Sequence, residues 1–166
     1  MMKPIQVWLF PEGPNPLKVL YVLEELQLPY DIKAIAMEDV KKKTLTDLNP
    51  NGRVPGAIIL YLVEEYDRNN TLTYNMGNER HFLKQWLFFQ VSGQGPYFGQ
   101  ATWFMTLHPE KLPSAIERYQ REIKRVLGVM EGHLEGRQWL LQSYFLAGQI
   151  VLYSKIIQML GPGTAA

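Results

Sequence analysis

The sequence contains no cysteine in its 166 residues. This absence excludes disulfide bonds, a thiol nucleophile, cysteine-ligated metals and a Cys-x-x-Cys redox pair. Any redox chemistry must therefore take its sulfur from a bound ligand. An excess of charge of one sign is also lacking, because 17 basic and 16 acidic residues give a net charge of +1. The short basic run 41–43 is typical of a solvated loop, so no nucleic-acid partner is predicted.

Targeting and metal-binding signals are equally scarce. The N-terminus has neither a long apolar region nor the small-residue cleavage site of a signal peptide, so we expect a cytoplasmic protein. The tail, residues 139–160, is apolar over the length of a membrane span, but Gln142, Gln149 and Lys155 interrupt it. An amphipathic helix fits this tail better, and no membrane partner is expected. The three histidines show no ligand-like spacing, so no metal site is predicted.

The first third of the chain has the pattern of a strand, a helix and a second strand. Residues 5–10 form a compact apolar run between prolines, and residues 30–36 alternate as a second strand would. Between them, Asn15 followed by Pro16 resembles a helix start, with Asn15 as the cap residue. This order predicts a right-handed crossover between parallel strands. The expected apolar face of the helix consists of Leu17, Leu20, Tyr21 and Leu23.

The rest of the chain is predicted to be helical. A helix is expected over residues 57–66, with Ile58, Leu62 and Tyr66 at helical spacing, and a polar boundary follows at residues 67–78. The next helix, residues 79–89, should end before a run of three glycines and Pro96. A capping box of Ser114 and Glu117 predicts a long helix that ends near Leu134. Its expected apolar face is Ile116, Tyr119, Ile123, Val126, Met130 and Leu134.

Several long motifs carry a family resemblance. They read GPNPLKV, NPNGRVP, GAIILYLVEEYD, QWLFFQVSGQGPYFGQ and HPEKLPSAIERYQREIKRVLGV. In this order they resemble glutathione transferases of the fungal nitrogen-regulator, prion-type branch, and the bacterial nu class, which reduces disulfides with glutathione, is similar. The resemblance runs from about Ile5 to Leu140. It implies an α/β plus all-α fold: a thioredoxin-like glutathione-binding domain over residues 1–68 and a helical transferase domain over residues 77–166.

The resemblance implies that Asn15 is the catalytic residue. Many relatives place a tyrosine or serine hydroxyl after the first strand, but this chain has Pro11-Glu12-Gly13-Pro14-Asn15 there. The amide N–H of Asn15 would stabilise the glutathione thiolate at the positive end of the first helix. A threonine that assists in some bacterial relatives corresponds to Gly13. The alternative is that Asn15 is only a helix cap.

Four further residues are implied to bind glutathione. In the family, the proline at Pro55 is cis, and the backbone of the preceding residue, here Val54, pairs with the cysteinyl part of glutathione. Arg53 would meet a carboxylate, and Arg118 would bind the glycine end of the ligand. The alternatives are an ordinary strand start for Val54, a solvated charge for Arg53, and a surface ion pair with Glu122 for Arg118.

The second substrate would bind beside an aromatic segment. Tyr97, Gln100, Trp103 and Phe104 combine apolar area with polar groups, as small-molecule pockets do. For Trp86 and Phe89 a place in the helical core is the better interpretation. The second substrate itself is expected to be a small electrophile or a disulfide.

The chain departs from the family in two places. Pro55 is joined directly to Gly56-Ala57-Ile58, where the family has a β-hairpin and a Glu-Ser pair that binds the γ-glutamyl group. From about residue 141 the tail matches nothing familiar. We expect only two parallel strands, helix faces at residues 17–23 and 58–62 that lose their packing partner, and weaker glutathione binding.

Three functional hypotheses remain at this stage. The first is a homodimeric glutathione transferase that uses glutathione as co-substrate, with glutathione-dependent disulfide reduction as a subtype. The second is a non-catalytic regulatory or interaction protein with the same fold. The third is an inactive, truncated variant. Glutathione affinity separates the first hypothesis from the other two.

Overall fold

A computed structural model describes residues 2–9, 14–36, 39, 42, 47, 56–75, 77–137 and 140. The contacts of these residues group into two compact units, one up to Tyr74 and one from Asn75 onward. Several predicted features lie outside the described residues. They are Gly13, the segment 53–55 with its proline, and the divergent tail from residue 141.

Within its described residues, the first unit contains two parallel strands and two helices. Its elements are β1 (Ile5–Leu9), α1 (Pro14–Glu25), β2 (Tyr30–Ala34) and α2 (Gly56–Tyr66). The strands pair in parallel with Ile5 opposite Tyr30 and Leu9 opposite Ala34, which confirms the predicted crossover unit. Helix α1 begins at Pro14 rather than after Asn15, so Asn15 lies within its first turn.

The apolar faces of α1 and α2 bury each other together with β1. The core consists of Val7, Val19, Val22, Leu23, Ile59, Leu62, Val63 and Leu72. The expectation that these helix faces lack a packing partner is therefore wrong for the described residues. The buried faces of both helices are rotated from the predicted ones, and Tyr21 and Ile58 are exposed. Valines and their neighbours at i, i+3 and i+4 spacing form the buried stripe instead.

A buried aspartate fixes the chain after α2. The carboxylate of Asp67 accepts hydrogen bonds from the backbone N–H groups of Thr71, Leu72 and Thr73 at 2.7–2.8 Å. These bonds hold the turn that carries Leu72 into the core, where it is 2% exposed. The sequence indicated a polar turn here, but not that its first residue organises it.

The described part of the second unit is mostly helical, with a connection at residues 108–112 that is not. Its elements are α3 (Asn78–Phe89), a π-helical turn (Gln90–Gln94), α4 (Gly95–Thr102), a second π-helical turn (Trp103–Leu107) and α5 (Pro113–Leu134). The predicted interruption after residue 89 is wrong. The N–H of Gly95 donates to the Gln90 carbonyl in the wider π pattern, and Pro96 then falls in the first turn of α4, where a missing N–H is tolerated.

Helix α5 has the predicted end and buried face but a different start. Ile123 and Val126 are completely buried and the helix ends at Leu134, as predicted. The capping box is wrong, because the helix begins at Pro113 with Leu112 as its cap residue and no side-chain cap bond. A proline at the first helical position moves the start one residue earlier. Glu117 instead pairs with Arg121 at 2.7 Å.

The described part of the chain contains neither a membrane-spanning helix nor a cluster of metal ligands. None of its helices combines the length and the apolar character that crossing a bilayer requires. In the same residues, no three histidine, aspartate or glutamate side chains cluster as metal ligands would.

Candidate functional site

The N-terminal end of α1 has few backbone donors. Pro14 and Pro16 have no N–H, so among the first four positions only Asn15 and Leu17 carry one. The first turn contains no acidic side chain. The partial positive charge of the helix end therefore remains to attract an anion, and hydrogen-bond donors must come largely from side chains.

Asn15 supplies such a donor. Its side chain is exposed, and its Oδ1 accepts a hydrogen bond of 3.1 Å from Nζ of Lys18. Because an ammonium group can only donate, this bond fixes the amide with its oxygen towards Lys18 and its Nδ2 away from it. Nδ2 makes no hydrogen bond to any described residue. The two N–H groups of Nδ2 are thus left for a ligand.

The helix-cap interpretation of Asn15 does not fit this arrangement. A cap residue precedes the first helical turn and accepts a backbone N–H with its side-chain oxygen. Here Asn15 is the second residue of α1, and its oxygen accepts from the Lys18 side chain. The side chain is therefore held by a neighbour three residues along the same helix face.

Lys18 is the site residue that the sequence analysis missed. It is only 7% exposed, and burial lowers the pKa of its ammonium group from 10.5 to about 8. Its position one turn before the buried Val22 places it on the apolar face of α1. The available signal was an asparagine followed at i+3 by a lysine that interrupts an apolar stripe.

The other predicted residues of the first unit directly precede α2 in the sequence. Arg53, Val54 and Pro55 fall outside the described residues. Helix α2 follows them directly and begins with Gly56, Ala57 and two isoleucines. Its first turn therefore offers backbone N–H groups to a ligand, but no hydroxyl or carboxylate.

Arg118 lies on α5 in the second unit. The predicted alternative, an ion pair with Glu122, is wrong, because Glu122 pairs with Arg125 at 2.9 Å. Arg118 is exposed and makes no hydrogen bond or ion pair with another described residue. Its guanidinium group therefore has no competing partner within the described part of the molecule.

The four residues predicted for the second substrate differ in their surroundings. The Tyr97 ring lies 5.7 Å from the guanidinium carbon of Arg125, a cation–π contact. Phe104 stacks between Tyr119, at 5.5 Å, and His108, at 5.2 Å. Gln100 is exposed, and Trp103 is 45% exposed. The structure thus engages Tyr97 and Phe104 in packing and leaves Gln100 and Trp103 accessible.

Trp86 and Phe89 pack against each other and against the end of α5. Their ring centroids are 5.2 Å apart, and the Trp86 ring lies 4.7 Å from that of His133. Both are half-buried, so their main contribution is to the packing of the second unit.

Comparison with known proteins identifies the class. A family model of the glutathione S-transferase N-terminal domain matches residues 13–62, the range that contains α1 and most of α2. Glutathione S-transferase 1 of Schizosaccharomyces pombe is 37% identical, and the match covers 92% of this chain and 75% of that protein. The chain belongs to the glutathione S-transferase family.

Two other relatives are a fungal protein and a protein of known crystal structure. Glutathione S-transferase-like protein gedE of Aspergillus terreus is 47% identical over 79% of this chain, which spans 64% of the length of that protein. The crystal structure of glutathione transferase URE2P6 from Phanerochaete chrysosporium, in complex with oxidized glutathione, is 38% identical with a TM-score of 0.86. That match covers 96% of this chain and 82% of URE2P6. The predicted fold, a thioredoxin-like domain with a small sheet followed by a helical domain, is confirmed.

Proposed function

We propose that this protein is a glutathione transferase in which Asn15 stabilises the thiolate of glutathione. The observation that carries the proposal is the Asn15 side chain, exposed at the end of α1 with Nδ2 directed away from Lys18, its partner among the described residues. The positive end of the helix favours an anion there, and Nδ2 can donate a hydrogen bond to it. Solved relatives that contain oxidized glutathione support the choice of ligand.

The reaction begins with loss of the thiol proton to water. The resulting thiolate then attacks an electrophilic atom, forming a carbon–sulfur bond while the leaving group departs with its electron pair. With a disulfide substrate, the thiolate attacks one sulfur, forms a mixed disulfide and releases the other sulfur as a thiolate. Asn15 acts in both cases by stabilising the anion before attack.

The rest of glutathione would be bound by residues that the resemblance implies. Val54 and Pro55 would align the cysteinyl backbone, and Arg53 would bind a carboxylate. Arg118 would contribute a second cation for the glycine carboxylate, which is consistent with its lack of a partner among the described residues. The second substrate, a small electrophile or a disulfide, would contact Gln100 and Trp103, together with Tyr97 and Phe104 where their packing leaves them accessible.

The proposal also includes the loss of a segment, which the family has after the position of Pro55 and this chain lacks. The match with the Schizosaccharomyces pombe protein extends over 171 residues, more than the whole length of this chain, although it covers only 92% of the chain. Residues of that protein therefore have no counterpart here. The first turn of α2 also has no polar side chain, as expected if the Glu-Ser pair is lost. Similarity to the nu class, a disulfide-reductase subtype and a homodimer are proposed on the same resemblance.

The test compares glutathione with S-methylglutathione, which has no ionisable thiol. We expect a cooperative melt that shifts upward with both ligands, equivalent to ~2.7 kcal/mol at a hundredfold excess over the dissociation constant. Asn15→Ala should lower the rate of thiol transfer to a model electrophile about 10²-fold, as loss of one donor to a developing anion does. It should leave the shift with S-methylglutathione nearly unchanged.

The matched control is Asn75→Ala, which removes an exposed asparagine outside α1. This variant should match the wild type in both assays. Equal transfer rates for wild type and Asn15→Ala would contradict the assigned role. A melt that shifts with glutathione, combined with no transfer to electrophile or disulfide, would favour the non-catalytic binding protein.

A further inference from the structure

Among the described residues, no carboxylate forms an ion pair with the buried Lys18. Its side chain is 7% exposed, and within the described residues its only hydrogen-bond partner is the neutral amide of Asn15. Buried ammonium groups are normally paired with a carboxylate or avoided. A methionine or leucine would fill the same position on the apolar face of α1 without desolvating a charge. The lysine therefore calls for a role that an apolar side chain does not supply.

The hydrogen bond from Lys18 determines how the Asn15 amide is oriented. An asparagine side chain can turn its oxygen or its nitrogen towards a ligand, and these two orientations have opposite effects on an anion. If Oδ1 faced a thiolate, it would repel it, whereas the N–H groups of Nδ2 stabilise it. The bond from Lys18 Nζ to Oδ1 at 3.1 Å selects the second orientation.

We infer that Lys18 is a positioning residue that orients and polarises the Asn15 amide towards the sulfur of the thiol substrate. The hydrogen bonds would then run in one direction, from Nζ to Oδ1 and from Nδ2 to the sulfur. A charge that donates to the amide oxygen strengthens the donor character of the amide nitrogen. The inference rests on the proposed function, because it assumes that a thiol binds beside Asn15.

The test measures the thiol pKa of bound glutathione by its ultraviolet thiolate absorbance. The titration is made well below pH 8, where most of the Lys18 ammonium groups keep their proton. The protein contains no cysteine, so the signal comes from glutathione alone. Four proteins form a double-mutant cycle: wild type, Lys18→Met, Asn15→Ala and the double variant. Lys33→Met, which removes an exposed lysine from the same unit, is the control.

We expect Lys18→Met to raise the bound thiol pKa by about one unit, and Lys33→Met to leave it unchanged. In the Asn15→Ala background, Lys18→Met should have a much smaller effect, because the amide that transmits it is gone. A purely structural role for Lys18 would change the melting temperature without this coupling. Cooperative melts of all variants establish that they are folded.

Two results would overturn the inference while the proposed function stands. One is a wild-type complex with a lowered thiol pKa that Lys18→Met does not change. The other is an equal effect of Lys18→Met with and without the Asn15 amide, which would mean that the charge acts directly on the sulfur. If the wild-type protein does not bind glutathione, or binds it without lowering its thiol pKa, the proposed function fails and this inference fails with it.

Discussion

Replacing Lys18 by methionine should change how stability depends on pH. In the folded protein, burial lowers the pKa of Lys18 from 10.5 to about 8. Below pH 8 the amine is charged in both the folded and the unfolded states, and the folded state bears the desolvation of that charge. Between pH 8 and 10.5 the folded protein has lost the proton while the unfolded chain still holds it. The free energy of unfolding contributed by Lys18 therefore rises with pH across this window.

The size of the effect follows from the same pKa values. A difference of roughly 2.5 units corresponds to about 3 kcal/mol over the whole window, and to about 2.5 kcal/mol between about pH 7 and pH 10. Lys18 is buried, so solvent screening does not reduce this value much. Methionine does not titrate, and its chain can occupy a similar volume. The stability advantage of Lys18→Met over wild type should thus shrink by about 2.5 kcal/mol as the pH rises.

Urea unfolding of both proteins at about pH 7 and pH 10 measures this double difference. The comparison cancels groups that titrate equally in both proteins, and no cysteine thiol titrates in either. Lys33→Met is the control for loss of a lysine at an exposed position. If the difference between Lys18→Met and wild type stays constant with pH, Lys18 keeps an ordinary pKa and its burial has been misread.

Three further predictions concern stability alone. Asp67→Ala removes the acceptor of three backbone N–H groups at residues 71–73, and urea unfolding should show a loss of about 2–4 kcal/mol; a smaller loss than 1 kcal/mol would mean that water replaces the carboxylate. Ile123→Ala empties a fully buried position in α5 and should cost about 2–5 kcal/mol, whereas Val129→Ala, on the exposed side, should stay within about 0.5 kcal/mol. Gly128→Ala should raise the free energy of unfolding by about 0.5–1 kcal/mol, because a Cβ there meets no atom within 4 Å; a decrease would contradict this.

The elements that the sequence predicted well are those with a strong local pattern. The apolar run of β1, the alternation of β2 and the apolar stripe of α5 are local patterns, which backbone geometry turns directly into a strand or a helix face. Predictions at helix ends were less accurate, because neighbouring signals compete there. The helix begins at Pro113 and not with a capping box at Ser114, and the glycines after Phe89 lie within a π-helical turn and α4.

The candidate site could be predicted from the sequence only in part. Asn15 was found through the family motif and its place at a helix start, both of which are visible in the sequence. The burial of Lys18 was not, because a lysine on a helix is normally expected to reach solvent. Whether it does so here depends on how the rest of the chain packs around α1, and that is a property of the folded molecule. The partner of Asn15 could therefore be identified only from the structure.

The effect of Lys18 on stability and its proposed effect on the thiol pKa can be tested with the same variant. A buried ammonium without a carboxylate lowers stability, and natural proteins keep such groups where function requires them. In a chain without cysteine, whose first helix lacks two of its terminal N–H groups, the proposed thiol chemistry would depend on the few side-chain donors that remain. If Lys18→Met gains stability near neutral pH and raises the thiol pKa of bound glutathione, one lysine accounts for both effects. A gain in stability with an unchanged thiol pKa would leave the burial of Lys18 real but its purpose unrelated to Asn15.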